Sequence, residues 1–243
     1  MVRVGERSDV GDGVWTITLD RPERRNAVDH PTLLALLDAQ LAVADARVVV
    51  LTGAPPAFCA GADLSGVEQG VFAADLDRVL RGFTELRAPV MAAIDGPALG
   101  AGAQLASVCD LRVATPDSVV GVPAARLGLV IDGWTIARIR DEFGTAISRG
   151  MLLAAETYTG SRLHQAGVVH RIGSIDDALT WAGELSTLAP LTMGAHKLGL
   201  RALDDPALNE RFESERTGAW ASDDAVEGRT AFLEKRLPTF RGR

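Results

Sequence analysis

Apolar positions in this chain fall into alternating or continuous runs near the N-terminus and helically spaced runs toward the C-terminus. Val14-Trp-Thr-Ile-Thr-Leu19 alternates and is rich in β-branched and aromatic residues, which predicts a strand paired with residues 2–7 across the Asp9-Val-Gly-Asp-Gly13 turn. Arg47-Val-Val-Val-Leu-Thr52 and Pro89-Val-Met-Ala-Ala-Ile94 are continuous apolar runs, the pattern of parallel strands covered on both faces. Helices are predicted over 31–44, 72–86 and 101–108, then over 138–143 and 145–155 with Gly144 between them. A further helix closes at Leu163-His-Gln-Ala-Gly167, and 168–172 reads as a short strand. Amphipathic helices follow over 176–188, 190–202, 206–220 and 222–237, broken at Ala189-Pro190, Asp205-Pro206 and Ala221-Ser222. The alternation of strands and helices predicts an α/β fold.

The stretch Ile94-Asp-Gly-Pro-Ala-Leu-Gly-Ala-Gly-Ala-Gln-Leu-Ala-Ser-Val-Cys-Asp110 turns from an apolar strand through small residues into a buried helix. Gly96, Pro97, Gly100 and Gly102 mark a tight turn, and the first helical turn carries unpaired N–H groups that suit an anion or a carbonyl oxygen gaining charge. Close helix–sheet packing explains the same glycines equally well. Ala60-Gly-Ala-Asp63 repeats the arrangement after an earlier strand, and loops that follow parallel strands gather at one sheet edge. Two N–H donors are therefore placed to converge on one oxygen.

Composition narrows the partners. With 47% hydrophobic and 23% charged residues, the 243-residue chain is an ordinary globular protein able to bury a real core. A net charge of -7 argues against a nucleic-acid surface. The start, Met1-Val-Arg-Val-Gly-Glu, is too polar for a signal segment and no run reaches membrane-span length, so a cytoplasmic location is expected. Cys59 and Cys109 form no CxxC pair and read as buried reduced thiols. His30, His164, His170 and His196 are scattered without metal-ligand spacing, so no metal site is expected. The serine-hydrolase elbow is missing, and Gly100-Ala-Gly102 is only a fragment of a dinucleotide fingerprint. The loop Asp20-Arg-Pro-Glu-Arg-Arg-Asn26 carries Arg21, Arg24 and Arg25 and reads either as solvated or as phosphate-facing, since guanidinium suits bidentate contact with phosphate.

Four ordered phrases carry a resemblance: Arg21-Pro-Glu-Arg-Arg-Asn-Ala27, Ala57-Phe-Cys-Ala-Gly-Ala-Asp-Leu64, the Ile94 to Ala106 stretch followed by Cys109-Asp-Leu-Arg112, and Ala231-Phe-Leu-Glu-Lys-Arg236. Together they resemble the crotonase (enoyl-CoA hydratase/isomerase) superfamily over almost the whole chain. The resemblance implies a ClpP-like crotonase fold of repeated ββα units. It also implies a C-terminal helical trimerisation lobe, taken as residues 194–243 beside a core of 1–193, in a homotrimer or dimer of trimers. The implied ligand is an acyl-CoA or enoyl-CoA thioester, with no other cofactor. By position, Ala62 and Ala101 would supply the oxyanion-hole N–H groups; the family often has Gly where Ala101 stands. Arg24, Arg25 and Ala60 would lie along CoA, and Phe232 and Lys235 match family positions that cover CoA bound to another subunit. Taken alone, Lys235 also reads as a solvated helix end.

The chain departs from the family at the two glutamates that hold and activate water in its hydratases: Gln104 stands at the first and Ala124, in Val120-Gly-Val-Pro-Ala-Ala-Arg126, at the second. Gln104 does not titrate near neutrality and Ala124 has no proton to give. Each general acid–base role is worth ~10²- to 10⁴-fold, so ordinary hydration is not expected. In this the chain resembles mycobacterial enoyl-CoA hydratase-like proteins lacking both glutamates, which implies acyl-CoA binding in fatty-acid or lipid metabolism, alone or with a lipid-synthesis enzyme as partner. The alternative is an active isomerase, decarboxylase or thioester enzyme that uses Asp132, in Leu127-Gly-Leu-Val-Ile-Asp-Gly-Trp134. Asp132 also reads as the N-cap of the helix that starts near Gly133, Trp134 as acyl-pocket wall or core, and Asp63 as the cap of a helix after Ala62. Whether Ser65 to Val71 gates the acyl site is open.

Overall fold

The computed structural model describes residues 1–63, 65 and 69–243, with the side chain of Gln69 left aside. Leu64, which ends the Ala57–Leu64 phrase, and residues 66–68 of the segment considered as a gate lie outside the described residues. In chain order the strands are β1 (Val2–Glu6), β2 (Val14–Leu19), β3 (Val48–Gly53), β4 (Val90–Ile94), β5 (Pro97–Leu99), β6 (Leu111–Ala114), β7 (Val119–Gly121), β8 (Thr157–Thr159) and β9 (Arg171–Ile172). The helices are α1 (His30–Ala42), α2 (Gln69–Glu85), α3 (Ala101–Ser107), α4 (Gly133–Phe143), α5 (Thr145–Leu153), α6 (Gly160–Gln165), α7 (Ile175–Ser186), α8 (Pro190–Ala202), α9 (Asn209–Trp220) and α10 (Asp223–Glu234).

Six strands form a sheet in the order β1-β2-β3-β4-β6-β9, and β5-β7-β8 form a smaller one. The β1–β2 pair is an antiparallel hairpin, with Val2 opposite Leu19, and the rest of the large sheet is parallel. β4-β5-α3 and β6-β7-α4 are successive ββα units, each giving one strand to each sheet. This is the crotonase arrangement expected above.

The continuous apolar runs are explained by burial on both faces of the large sheet. Val49 and Leu51 of β3, with Val90 and Ala92 of β4, enter the main core under α1, α2 and α3. Their alternates Val48, Val50, Met91 and Ala93 meet Ala178, Leu179 and Ala182 of α7 on the other face. Successive strand side chains point to opposite faces, so a strand between two helical layers has little room for polar residues; buried Thr52 of β3 satisfies its hydroxyl on Ala93 O at 2.9 Å.

The C-terminal helices behave differently. α8 spans the 193/194 boundary expected between core and lobe, and its Lys197 is buried, donating to Ala88 O (2.9 Å) and Phe83 O (3.3 Å) and pairing with Asp110 at 2.7 Å. α9, expected to be amphipathic, has no buried residue, and α10 buries only Asp224 and Ala231. Trp220, Phe232, Leu233 and Leu237 are exposed. The tail folds back on the core, where Arg47 donates to Phe240 O at 2.9 Å and Asp224 accepts from Arg241 N and Gly242 N. No helix among the described residues is long and apolar enough to cross a membrane.

Candidate active site

After β3 the chain returns as a short extended segment that is pinned first on one side and then on the other. Cys59 N donates to Pro97 O (3.0 Å) and Leu99 N donates to Cys59 O (2.9 Å), a parallel bridge that places the segment beside β5. Ala60 N then donates to Arg25 O (3.0 Å), Val28 N to Gly61 O (2.8 Å) and Asp63 N to Val28 O (2.8 Å). In that second bridge Val28 makes both hydrogen bonds to the residues flanking Ala62, so the N–H of Ala62 points to the opposite side. Gly61, within this second set of bonds, has a φ of +117°, which glycine tolerates and other residues resist.

The second donor lies alongside. Gly100, with φ +53°, donates to Gly121 O and leads into α3, whose first residue is Ala101. A Cβ built at Gly61 would lie 3.1 Å from Leu99 O and 4.0 Å from Ala101 N, and one built at Gly100 would lie 3.7 Å from the Gly61 Cα. Ala62 is half-buried and Ala101 buried, and neither N–H has an acceptor among the described residues. Unpaired N–H groups away from bulk water are uncommon and favour an incoming acceptor. The seven-residue helix α3 is drawn close to this segment because Gly102 faces Cys59; a Cβ there would run into the Cys59 carbonyl and lie 2.9 Å from the Cys59 Cβ.

Gln104 lies on α3 and is 6% exposed, and its side-chain amide makes no hydrogen bond among the described residues. Ala124 sits half-buried in a 3-10 turn, Pro123–Leu127, packed against the core. Asp132 is exposed and caps α4: its carboxylate accepts from Thr135 N (2.9 Å) and Thr135 Oγ1 (2.6 Å). Trp134 is half-buried, with the Arg81 guanidinium 4.5 Å from its ring centroid.

The helix expected to be capped by Asp63 falls on Leu64 and residues 66–68, outside the described residues. The Asp63 carboxylate is 3.2 Å from Arg21 Nη2 and 3.8 Å from Arg24 Nε, and it accepts from the hydroxyl and N–H of Ser65. The Ser65 hydrogen bonds, helped by Arg21 and Arg24, hold this carboxyl below the usual range. A short segment thus brings Arg24, Arg25, Ala60 and Ala62 together, with both arginines exposed. Phe232 and Lys235 are on the exposed surface at the end of α10, with no hydrogen bond or ion pair to that segment among the described residues. Burial pushes the Cys59 and Cys109 thiols up to about 12, which leaves them inert at neutral pH.

Three residues escaped the sequence reading. Asn26 is buried and left-handed (φ +57°), donating to Ala54 O (2.7 Å) and Ala57 O (2.6 Å) while accepting from Arg21 N. It fixes the arginine loop to the segment that carries Ala62. Arg112 is buried beneath α3, and Lys197 ties α8 to the core. The sequence groups Arg21 with Arg24 and Arg25 in a loop that is either solvated or phosphate-facing, but its side chain is spent internally on Asp29, Asp63 and Ala27 O.

Comparisons with known proteins agree with this geometry. The enoyl-CoA hydratase/isomerase family model matches residues 9–243. The probable enoyl-CoA hydratase echA6 of Mycobacterium tuberculosis is 43% identical over 240 residues, covering 95% of this chain and 97% of that protein. The 2,3-dehydroadipyl-CoA hydratase of Escherichia coli is 34% identical over 247 residues, covering 95% and 96%. Among solved structures, an enoyl-CoA hydratase/carnithine racemase from Magnetospirillum magneticum superposes with a TM-score of 0.89 at 29% identity, covering 100% of this chain and 96% of that one.

Proposed function

The chain belongs to the enoyl-CoA hydratase/isomerase family, and from that premise we propose that it binds a fatty acyl-CoA or enoyl-CoA thioester without hydrating it. The observation that carries this reading is the pair of adjacent, unaccepted N–H groups at Ala62 and Ala101, with an amide at Gln104 and a methyl at Ala124 where a hydratase needs two carboxyl groups. The N–H pair is the oxyanion hole, which holds the thioester carbonyl oxygen and polarises it. Hydration also needs a base to take the proton of water and an acid to return it to the α-carbon, and neither position offers one. Stabilisation that serves substrate and transition state alike gives affinity rather than rate. Gln104 hydrogen-bonds the acyl group or a water, and Trp134 lines the acyl chain.

Arg24 and Arg25 face the CoA phosphates, with Phe232 and Lys235 of a neighbouring subunit closing over the nucleotide in a trimer or a dimer of trimers. The exposed apolar residues of α9 and α10 support a lobe that packs on other subunits. The role belongs to fatty-acid or lipid metabolism in the cytoplasm, as a carrier or as partner to a lipid-synthesis enzyme. Asp132 as acid or base has less support, since both its oxygens are engaged in capping α4.

Titration calorimetry with CoA and with a series of saturated acyl-CoA esters tests the binding. Acyl-CoA of the preferred length is expected to bind at least tenfold more tightly than CoA, about 1.4 kcal/mol. Equal affinity for CoA and every ester would refute a thioester site.

A further inference from the structure

Asp63 stands where the two halves of the site meet. Its side chain is 12% exposed although it lies on an irregular segment, and its own N–H donates to Val28 O directly after Ala62. Arg21, 17% exposed, spans two carboxylates with one guanidinium: Nη1 is 3.0 Å from Asp29 Oδ2 and donates to Ala27 O at 2.7 Å, while Nη2 is 3.2 Å from Asp63 Oδ2. Asp29 is in turn the N-cap of α1, accepting from Thr32 N at 2.9 Å. A continuous path of hydrogen bonds and ion pairs therefore runs from the start of α1 through Asp29, Arg21 and Asp63 to the residue next to Ala62. Arg24 touches the same Asp63 oxygen more loosely, at 3.8 Å, and its side chain is 56% exposed.

We infer that Asp63, held by Arg21, is a positioning residue that fixes the direction of the Ala62 N–H toward the thioester carbonyl. This rests on the oxyanion-hole reading above. The direction of the Ala62 N–H follows the ψ of Gly61 and the φ of Ala62, and a donor is effective only when its geometry is set before the ligand arrives. Hydrogen bonds from Arg21 to Ala27 O and Asp63, with its ion pair to Asp29, hold strand-like residues 27–29 and 61–63 in register. Ser65 closes the other side of the carboxylate. Arg24 is free to turn outward to an anion without loosening Asp63, because Arg21 remains.

Isotope-edited infrared spectroscopy of acyl-CoA carrying a ¹³C-labelled thioester carbonyl reads this directly, on the full-length wild type and on Asp63→Asn and Arg21→Lys. The wild type is expected to move the carbonyl band to lower frequency on binding. Asp63→Asn should lose at least half of that movement, while affinity for CoA without an acyl group does not fall by more than about twofold, because Arg24 and Arg25 keep their charge and Arg24 meets Asp63 only loosely, at 3.8 Å. Arg21→Lys, which cannot span both carboxylates, should show the same loss and serves if Asp63→Asn does not fold. A full band shift retained in either folded variant would overturn the positioning role while leaving the oxyanion hole in place. A wild type with no band shift would overturn both.

Discussion

Arg112 Nη2 donates to Glu142 Oε2 at 2.6 Å inside the core, with the arginine side chain only 4% exposed. The same guanidinium donates to Val168 O, Ala106 O and Cys109 O, so one residue of β6 stitches the end of α3 to α4 and to the chain entering β9. Without Arg112 the Val168, Ala106 and Cys109 carbonyls lose its donors, whereas Glu142 keeps Arg138 at 2.7 Å, so the cost is about 1–3 kcal/mol. Arg112→Ala is expected to lose stability in that range in urea unfolding. Arg112→Lys should recover part of it, since it keeps the charge but not the fork.

Gly102 allows α3 to approach Cys59. Its substitution by alanine forces the new methyl against a backbone carbonyl that cannot rotate away. Overpacking of this kind costs about 1–3 kcal/mol, and here the strain falls on the segment carrying Ala62 and Ala101. Gly102→Ala should therefore lower both the melting temperature and acyl-CoA affinity, read by calorimetry, whereas Gly218→Ala, with nothing within 4 Å of the new Cβ, should lower neither.

Asp132 separates a structural from a chemical role. As the cap of α4, Asp132→Ala should cost about 0.5–2 kcal/mol and Asp132→Asn almost nothing, since asparagine caps as well as aspartate. If Asp132 were instead an acid or base, any residual turnover would vanish in the asparagine variant with its stability unchanged.

Glu227 accepts from Arg236 Nη2 at 2.8 Å and from Thr239 N at 2.8 Å, and these bonds pull its carboxyl down to about 2. Because the folded value lies below the unfolded one of ~4.3, this hook is fully present above that pH and is lost as the pH falls through the folded value. Carboxyl ¹³C NMR should find Glu227 still ionised at about pH 3, and Arg236→Gln should return its midpoint toward ~4.3.

The parts of the fold legible in the sequence are those where local pattern and tertiary burial agree. The alternation of Val14 to Leu19 predicts β2 at its observed ends, and the apolar runs of 47–52 and 89–94 predict β3 and β4 to within a residue, because strands covered on both faces are almost wholly apolar. α8 was also read at both ends, marked by Pro190 at its start. The short strands β5, β7 and β8 were not read, since three residues carry no period. The strand expected over 168–172 shrinks to Arg171–Ile172, because the N–H groups of Val168 and Val169 donate to Leu163 O of α6 instead of to a neighbouring strand. The apparent amphipathic character of α9 has no counterpart within one chain.

At the site, the glycines and small residues announced backbone donors. The charge network did not announce itself, because an arginine that spans two carboxylates looks in sequence like its solvated neighbours. Asn26 carried a readable signal, an Asn at a turn able to adopt a left-handed backbone, but its two carbonyl partners lie 28 and 31 residues away.

Hydration adds a water to the substrate, so mass is the direct test. The protein should be incubated with trans-2-enoyl-CoA at a concentration where calorimetry finds it bound, and the thioester followed by mass spectrometry. The account expects the enoyl-CoA to be recovered with its mass unchanged over many hours, while Gln104→Glu combined with Ala124→Glu yields some hydrated product. Multiple turnovers to the 3-hydroxyacyl-CoA by the unaltered chain would contradict it.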